Sequence, residues 1–183
     1  MRLYKIILCL IIIISCSDNY PQSDIENIKS LIHQFCVLDL SGYRLSSNTY
    51  DKMSFYIDNA EESCWETGWD LFTIIDSFKI DKVKKIDNNR YDVHVTFKNI
   101  VKDFNESTPI KIDNKDEKII ITVIKVDNTW KISKDSCYHP HVSLQTTLDK
   151  IKAIDLNSKY YEKNEIEIIK KNIEILDSYA DKM

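Results

Sequence analysis

The sequence predicts an α+β domain, with N-terminal helices packed on one face of an antiparallel sheet and a helical extension at the C-terminus. Three observations lead to this prediction. Apolar residues first recur at three-to-four spacing, then alternate with polar residues through the middle of the chain, and return to helical spacing after Pro140. Helices that precede strands joined by tight turns are typical of the α+β class, in which the helices cover one face of the sheet.

The first helix is predicted to begin at Ser23, because Glu26 three residues later completes a capping box. Gly42 is the expected stop, since glycine commonly follows the end of a helix. A second, weaker helix is predicted for residues 48–62. The apolar face of the first helix consists of Ile25, Ile28, Leu31, Ile32, Phe35 and Leu38.

Strands are predicted between residues 72 and 132. The first covers residues 72–83, and Asn88-Asn89 is a hairpin turn because asparagine tolerates the left-handed conformation. Residues 118–126 form a strand with apolar residues on both faces, and residues 129–132 form the last strand. The strand between them alternates strictly, with Tyr91, Val93, Val95 and Phe97 on one face and Asp92, His94, Thr96 and Lys98 on the other.

The C-terminal extension contains two further amphipathic segments. Ser158 is the predicted cap of the final helix, and the extension is expected either to cover the second apolar face of residues 118–126 or to meet a partner. The apolar faces consist of Leu144, Leu148, Ile151 and Ile154 in one segment and Ile166, Ile169, Ile173 and Leu176 in the other.

The N-terminus has the pattern of an export signal. Arg2 and Lys5 precede an apolar run at residues 6–14, which is too short for a membrane-spanning helix of about 20 residues but has the length of a secretory signal. The run ends in Ile13-Ile14-Ser15-Cys16, which resembles the lipobox of bacterial lipoproteins. The resemblance implies removal of residues 1–15 and acylation of Cys16. The alternative is an uncleaved anchor or a buried core strand.

The predicted organisation therefore has four parts. Residues 1–15 are the signal peptide, 16–22 the lipidated cysteine and its tether, 23–136 the α+β domain, and 137–183 the helical extension. The acylated cysteine makes a lipid bilayer of the bacterial cell envelope the first partner. An Asp directly after the lipidated Cys resembles an inner-membrane retention signal. Here Ser17 holds that position and Asp18 comes one later, which favours the outer membrane.

Composition excludes several classes of function. Removal of the signal takes the formal net charge from −4 to −6, and no dense stripe of basic residues remains, so we expect no nucleic-acid binding. The chain has two glycines, Gly42 and Gly68, and neither GxGxxG nor a Walker loop can be written with them. HExxH and GxSxG are also absent, and the sequence predicts no cofactor.

Residues 23–134 resemble the nuclear-transport-factor-2-like (NTF2-like) superfamily. The features that carry the resemblance are the long opening helix, the long paired strands and the ending Asp127-Asn128-Thr129-Trp130-Lys131-Ile132. The resemblance implies a curved sheet that forms a cone, whose interior can be a ligand pocket. Some members of this superfamily are isomerases, hydrolases or dehydratases, and many others only bind or scaffold.

Within such a cone, an enzyme needs an acid–base pair. The candidates near the expected mouth are Asp39, Tyr43, Asp70 and Asp76, whereas His94 is expected to face outward. Aromatic residues can line a pocket for an apolar or sugar-like ligand, or can belong to the core. These pocket candidates are Trp65, Trp69, Tyr91 and Trp130, together with Tyr43.

A last group of candidates involves cysteine and histidine. Cys137, His139 and His141 point the same way in an extended chain and are suitable ligands for zinc or copper, although no fourth ligand is evident. The alternative is a polar linker between sheet and extension. A disulfide between Cys64 and Cys137 is the expected pairing, and buried free thiols are the other outcome.

These observations favour a non-enzymatic lipoprotein of the cell envelope whose domain binds an envelope protein or a small apolar ligand. A small lyase, isomerase or hydrolase that uses the cone is the first alternative. A metal-handling lipoprotein that uses Cys137, His139 and His141 is the second.

Overall fold

The computed structural model describes residues 22–60, 69, 71–136 and 138–183. The signal sequence, Cys16 and the tether up to residue 21 lie outside the described residues, as do Cys64, Trp65, Asp70 and Cys137. The helices are α1 Gln22–Leu40, α2 Ser47–Ser54, α3 Leu144–Lys152 and α4 Lys163–Ala180, with a short 3₁₀ helix at Tyr43–Leu45. The strands are β1 Phe72–Lys85, β2 Arg90–Phe104, β3 Asp116–Val126, β4 Thr129–Ile132 and β5 His141–Ser143.

The strands form one sheet of order β4-β3-β2-β1-β5, which confirms the α+β class. β1 to β4 are antiparallel as predicted, but β5 runs parallel to β1, so the sheet is mixed and the prediction of a purely antiparallel sheet was wrong. The reason is the path of the chain, which leaves β4 at one edge of the sheet and reaches the opposite edge before β5. Three residues are too few to show a strand periodicity in the sequence.

Irregular pairing between β1 and β2 curls the sheet. The register shifts four times along the pair, three of them between Phe72 and Ser77 and one between Ile80 and Lys82. Each shift of this kind bends the strand and increases its twist. The result is a sheet with a concave face, across which α1 packs, and a convex outer face.

Two apolar cores lie on opposite faces of the sheet. The concave core packs α1 against β1–β4, with Phe35, Val95 and Ile121 among its buried members. The alternation predicted for β2 is confirmed over the residues that line this core. The second core packs α3 and α4 against the first residues of β1 and the last residues of β2, where Phe72 and Phe104 are buried. The extension therefore covers β1 and β2 rather than β3, whose Ile120 stays 54% exposed on the outer face.

Helix ends follow local chemistry. α1 stops where predicted, because Gly42 takes a left-handed φ of 74° and donates its N–H to the carbonyl of Asp39 at 2.8 Å. α2 is shorter than predicted and ends at Ser54. The final helix begins at Lys163 rather than after Ser158, because Glu162 and Glu165 form the capping box.

Candidate functional site: a buried polar cluster

Residues 138–141, the crossing segment, lead across the concave face of the sheet into β5. Its aromatic side chains lie over Phe97 of β2: the ring of His141 stacks on Phe97 at 3.9 Å and 10°, and the ring of Tyr138 lies 6.0 Å away. His141 is 1% exposed. The segment therefore brings polar groups into an apolar interior, where each of them needs a partner.

Asp39 and Arg44 supply these partners. The two side chains form a bidentate ion pair, with Nε to Oδ1 at 2.7 Å and Nη2 to Oδ2 at 2.6 Å, and each is about 1% exposed. Burial disfavours the charged guanidinium, but Asp39 keeps the pKa of Arg44 above its ordinary value. A fork of donors that matches a carboxylate is the geometry in which a buried ion pair is held most firmly.

The same ion pair holds the crossing segment. Arg44 donates to the carbonyls of Tyr138 at 3.0 Å and of His139 at 3.2 Å. Asp39 accepts the backbone N–H of His141 at 3.1 Å. Three backbone groups of the crossing segment are thus paired by two buried side chains, which fixes the position at which β5 meets β1.

The local sequence explains why the ion pair forms. Asp39 lies in the last turn of α1, where a carboxylate is unfavourable next to the negative end of the helix dipole. Gly42 turns the chain back through the 3₁₀ helix, which places Arg44 against that carboxylate. An alanine at Gly42 would be strained at φ +74°, and its Cβ would lie 2.7 Å from the ring of Trp69.

A second polar pair joins β5 to β3. Nε2 of His141 lies 3.3 Å from Oε2 of Glu117, and Asn99 donates to the same oxygen at 3.1 Å. The hydrogen bond from His141, helped by that from Asn99, outweighs partial burial and lowers the pKa of Glu117 to about 2. Nδ1 of His141 and Oδ1 of Asn99 are also buried, and neither atom has a hydrogen-bond partner within the described structure. A carboxylate–imidazole pair is typical of acid–base chemistry, but here the second ring nitrogen is closed off from solvent.

Two further ionisable groups of the cluster are kept neutral. Burial, with a smaller contribution from Asp39, raises the pKa of the Cys36 thiol. Burial also raises the pKa of the Tyr138 phenol well above its ordinary value. Because the thiolate is the nucleophilic form of cysteine, Cys36 has the properties of an inert core thiol.

Among the predicted acid–base residues that the structure describes, Asp39 is the one that lies in the buried cluster. Asp39 lies in the cluster, where it binds Arg44 and the N–H of His141. Tyr43 is half-buried in the 3₁₀ helix, with Nζ of Lys52 5.4 Å from its ring centre. Asp76 is exposed on β1 and accepts a hydrogen bond from the Ser77 hydroxyl.

The sequence reasoning did not select three members of the cluster: Arg44, Asn99 and Glu117. A usable signal existed for Arg44, because an arginine directly follows Gly42-Tyr43 at a predicted helix stop and precedes Leu45. Glu117 and Asn99 lie on different strands, and only the register of β2 and β3 brings them together.

The predicted aromatic pocket residues do not share a site. Tyr91 and Trp130 are buried in the concave core, with ring centres 5.2 Å apart in an edge-to-face arrangement, and Trp130 Nε1 donates to Asp24 at 3.3 Å. Trp69 packs in the second core, edge-on to Phe72 at 5.5 Å. Trp65 lies outside the described residues.

The two predicted metal ligands that the structure describes, His139 and His141, lie in different environments. His139 is exposed and His141 is buried against Phe97, while Cys137 lies outside the described residues. In the described ranges, no group of three or more His, Cys, Asp and Glu side chains is placed to hold a metal ion. Both the metal site and the Cys64–Cys137 disulfide stay predictions.

The outer face of β1–β3 carries an open groove of about 700 Å³. His94 lines it, on the side of β2 opposite to the buried Val93 and Val95, as the alternation predicted. Asp81 accepts a hydrogen bond from Thr96 and lies 3.3 Å from Lys79. Basic side chains outnumber acidic ones along the groove: the former are Lys79, Lys82, Lys98 and Lys118, and the latter are Asp81 and Asp116.

No known family model, curated protein or solved structure was found to match this chain. Within the part of the chain that the structure describes, no helix is long and apolar enough to cross a membrane.

Replacing Arg44 by methionine leaves the carboxylate of Asp39 buried without its cation. We expect the free energy of unfolding, measured in urea, to fall by about 3–5 kcal/mol. The exposed pair of Lys152 and Asp177 has the same 2.6 Å separation and is the matched control, for which Lys152→Ala should cost less than about 1 kcal/mol. An Arg44→Met variant as stable as the Lys152→Ala variant would contradict the structural role of the buried pair.

Glu117 should make stability depend on pH. Its folded-state pKa of about 2 lies below the ordinary 4.5, so the stability it contributes is present above pH 4.5 and is lost as the pH falls towards 2. Glu117→Gln removes this contribution at every pH. The difference in unfolding free energy between wild type and Glu117→Gln should therefore shrink across this window, and a difference independent of pH would show that Glu117 is not held by His141.

Proposed function

We propose that this protein is a bacterial cell-envelope lipoprotein, anchored through acylated Cys16, whose α+β domain is a non-enzymatic binding module. The proposal combines the lipobox-like N-terminal sequence with the chemistry of the described interior. We further propose the outer membrane as its location, on the basis of the residues that follow Cys16.

The observation that supports binding over catalysis is the state of the ionisable groups on the concave face. Asp39 is committed to Arg44 and to the backbone of the crossing segment. Glu117 accepts from Asn99 and lies in hydrogen-bond contact with His141, and the remaining nitrogen of His141 is buried. A general base must reach the proton that it abstracts, and these groups are occupied with one another instead.

We propose that the domain belongs to the NTF2-like superfamily. A long helix across the concave face of a curled sheet, followed by the Trp130-Lys131-Ile132 strand, supports this assignment. In this interpretation the crossing segment and the aromatic side chains of β2 fill the cone that other members keep open as a pocket. The extension on the second face distinguishes this chain from minimal members.

The binding surface that we propose is the outer-face groove. It is open, lies on the outer face of the sheet, and carries four lysines against two aspartates. A surface of this charge suits an envelope protein that presents acidic side chains, because complementary charges speed encounter and fix orientation.

Native mass spectrometry of the full-length gene product, purified from an envelope fraction, tests this proposal. We expect a chain that begins at Cys16, carries acyl groups and holds no small molecule in its interior, whereas Cys16→Ala should yield no acylated species. An unacylated wild-type chain would contradict the anchor. A co-purified small molecule whose turnover is lost in His141→Phe would contradict the non-enzymatic role, because phenylalanine preserves stacking on Phe97 but removes both ring nitrogens.

A further inference from the structure

We propose that one corner of the domain rests in the headgroup region of the bilayer and sets the orientation of the protein on the membrane. We call this corner the aromatic corner, and it consists of the exposed Phe55 and the half-buried Tyr56 with Lys125 and Lys131, packed beside the buried Trp130. The inference rests on the proposed acylation of Cys16 and goes beyond it, since anchoring alone does not choose which surface meets the lipid.

The start of α1 fixes the aromatic corner near the anchor. Asp24, in the first turn of α1, accepts the indole N–H of Trp130 in β4. The tight turn before β4 and the hairpin between β1 and β2 lie at this same end of the sheet, where the N–H of Lys125 donates to the carbonyl of Asn89 at 2.8 Å. The chain thus enters the fold at the end of the sheet that carries these two turns, which we call the turn end.

The length of chain between Cys16 and α1 limits the distance from the lipid. Gln22 is six positions beyond Cys16, and six residues span at most about 20 Å when fully extended. β2 has 15 residues and at roughly 3.3 Å each would extend for about 50 Å before curling, and its far end carries the extension. The tether therefore holds the turn end within about 20 Å of the bilayer and places no such limit on the far end.

The aromatic corner presents an exposed apolar side chain to solvent. Phe55 is 72% exposed, and its ring lies 6.0 Å from that of Tyr56. A groove of about 350 Å³ lies between these residues and the middle of α1. Aromatic side chains at such a position are favoured at the membrane–water interface, where the ring leaves water and polar groups stay hydrated.

Lysines accompany two of the rings. Nζ of Lys131 lies 4.4 Å from the ring centre of Phe55, and Nζ of Lys125 lies 5.2 Å from that of Trp130. The acidic side chains of α1 nearby have partners of their own, since Asp24 binds Trp130 and Glu26 pairs with Lys29 at 3.1 Å. Asp127 is the acidic residue of the adjacent turn. Nζ of Lys131 also donates to the backbone carbonyl of Phe55, and lysines at such a surface attract anionic lipid phosphates.

The expected consequence is orientation rather than added affinity. Several acyl chains on one cysteine already anchor stably, so the aromatic corner need contribute little to retention. With this corner against the lipid, the far ends of β1 and β2 and the extension project away from the membrane. The outer-face groove is then left in the aqueous phase, where a protein partner can approach it.

Lysine footprinting tests the inference. The full-length gene product, processed in a bacterial host, is added to preformed vesicles of phosphatidylethanolamine and phosphatidylglycerol and labelled with a water-soluble acylating reagent. Labelling at each lysine is measured by mass spectrometry and compared with the same protein in detergent. We expect the vesicles to slow labelling of Lys125 and Lys131 by roughly three-fold or more, but not that of Lys111 and Lys170 at the far end.

Two variants make the test specific. Phe55→Ser should abolish the protection of Lys131, whereas Tyr160→Ser, which removes a 92% exposed aromatic ring from the extension, should leave it unchanged. Protein that floats with the vesicles but shows no protection of Lys125 and Lys131, or equal protection in Phe55→Ser, overturns the inference and leaves the anchor standing. Protein that does not float overturns the proposed anchor and the inference together.

Discussion

The structure depends most on the buried ion pair between Asp39 and Arg44. A buried ion pair is weak support for stability by itself, because desolvation offsets much of the attraction. Here the same two side chains also pair three backbone groups of the segment that crosses the interior, and such groups would be costly if left unpaired. The ion pair therefore contributes mainly to conformational specificity, because it determines where the crossing segment lies and where β5 joins the sheet.

The position of β5 determines which surfaces of the domain are buried by packing and which remain open for binding. Once β5 lies beside β1, the start of β1 is buried on both faces, and α3 and α4 have an apolar surface to cover. The concave face is then closed by side chains that serve the fold. The outer groove and the aromatic corner remain open, and they are on different parts of the molecule. A tethered protein needs this separation if it is to contact lipid with one surface and a partner with another.

Local patterns predicted what local forces determine. Alternation along β2 identified the buried Val93 and Val95, and Gly42 marked the end of α1, because pleating and backbone conformation act on neighbouring residues. Asp39 was selected as a candidate acid or base, and that role stays a prediction, whereas its structural partners lie 5 and 102 positions away in sequence. The pairing of His141 with Glu117 depends on the strand register and on the crossing path, neither of which leaves a periodic signal.

Amide hydrogen exchange in an Arg44→Lys variant tests the central claim most directly, because lysine keeps the charge but cannot form the fork of hydrogen bonds. If the ion pair holds the crossing segment, the amides of His141 and of Thr73, which donates to the carbonyl of Pro140, should exchange at least about ten-fold faster. The amides of Val93 and Val95 in the centre of the sheet should be unaffected. Unchanged exchange at His141 and Thr73, or an equal acceleration throughout the sheet, would contradict the account.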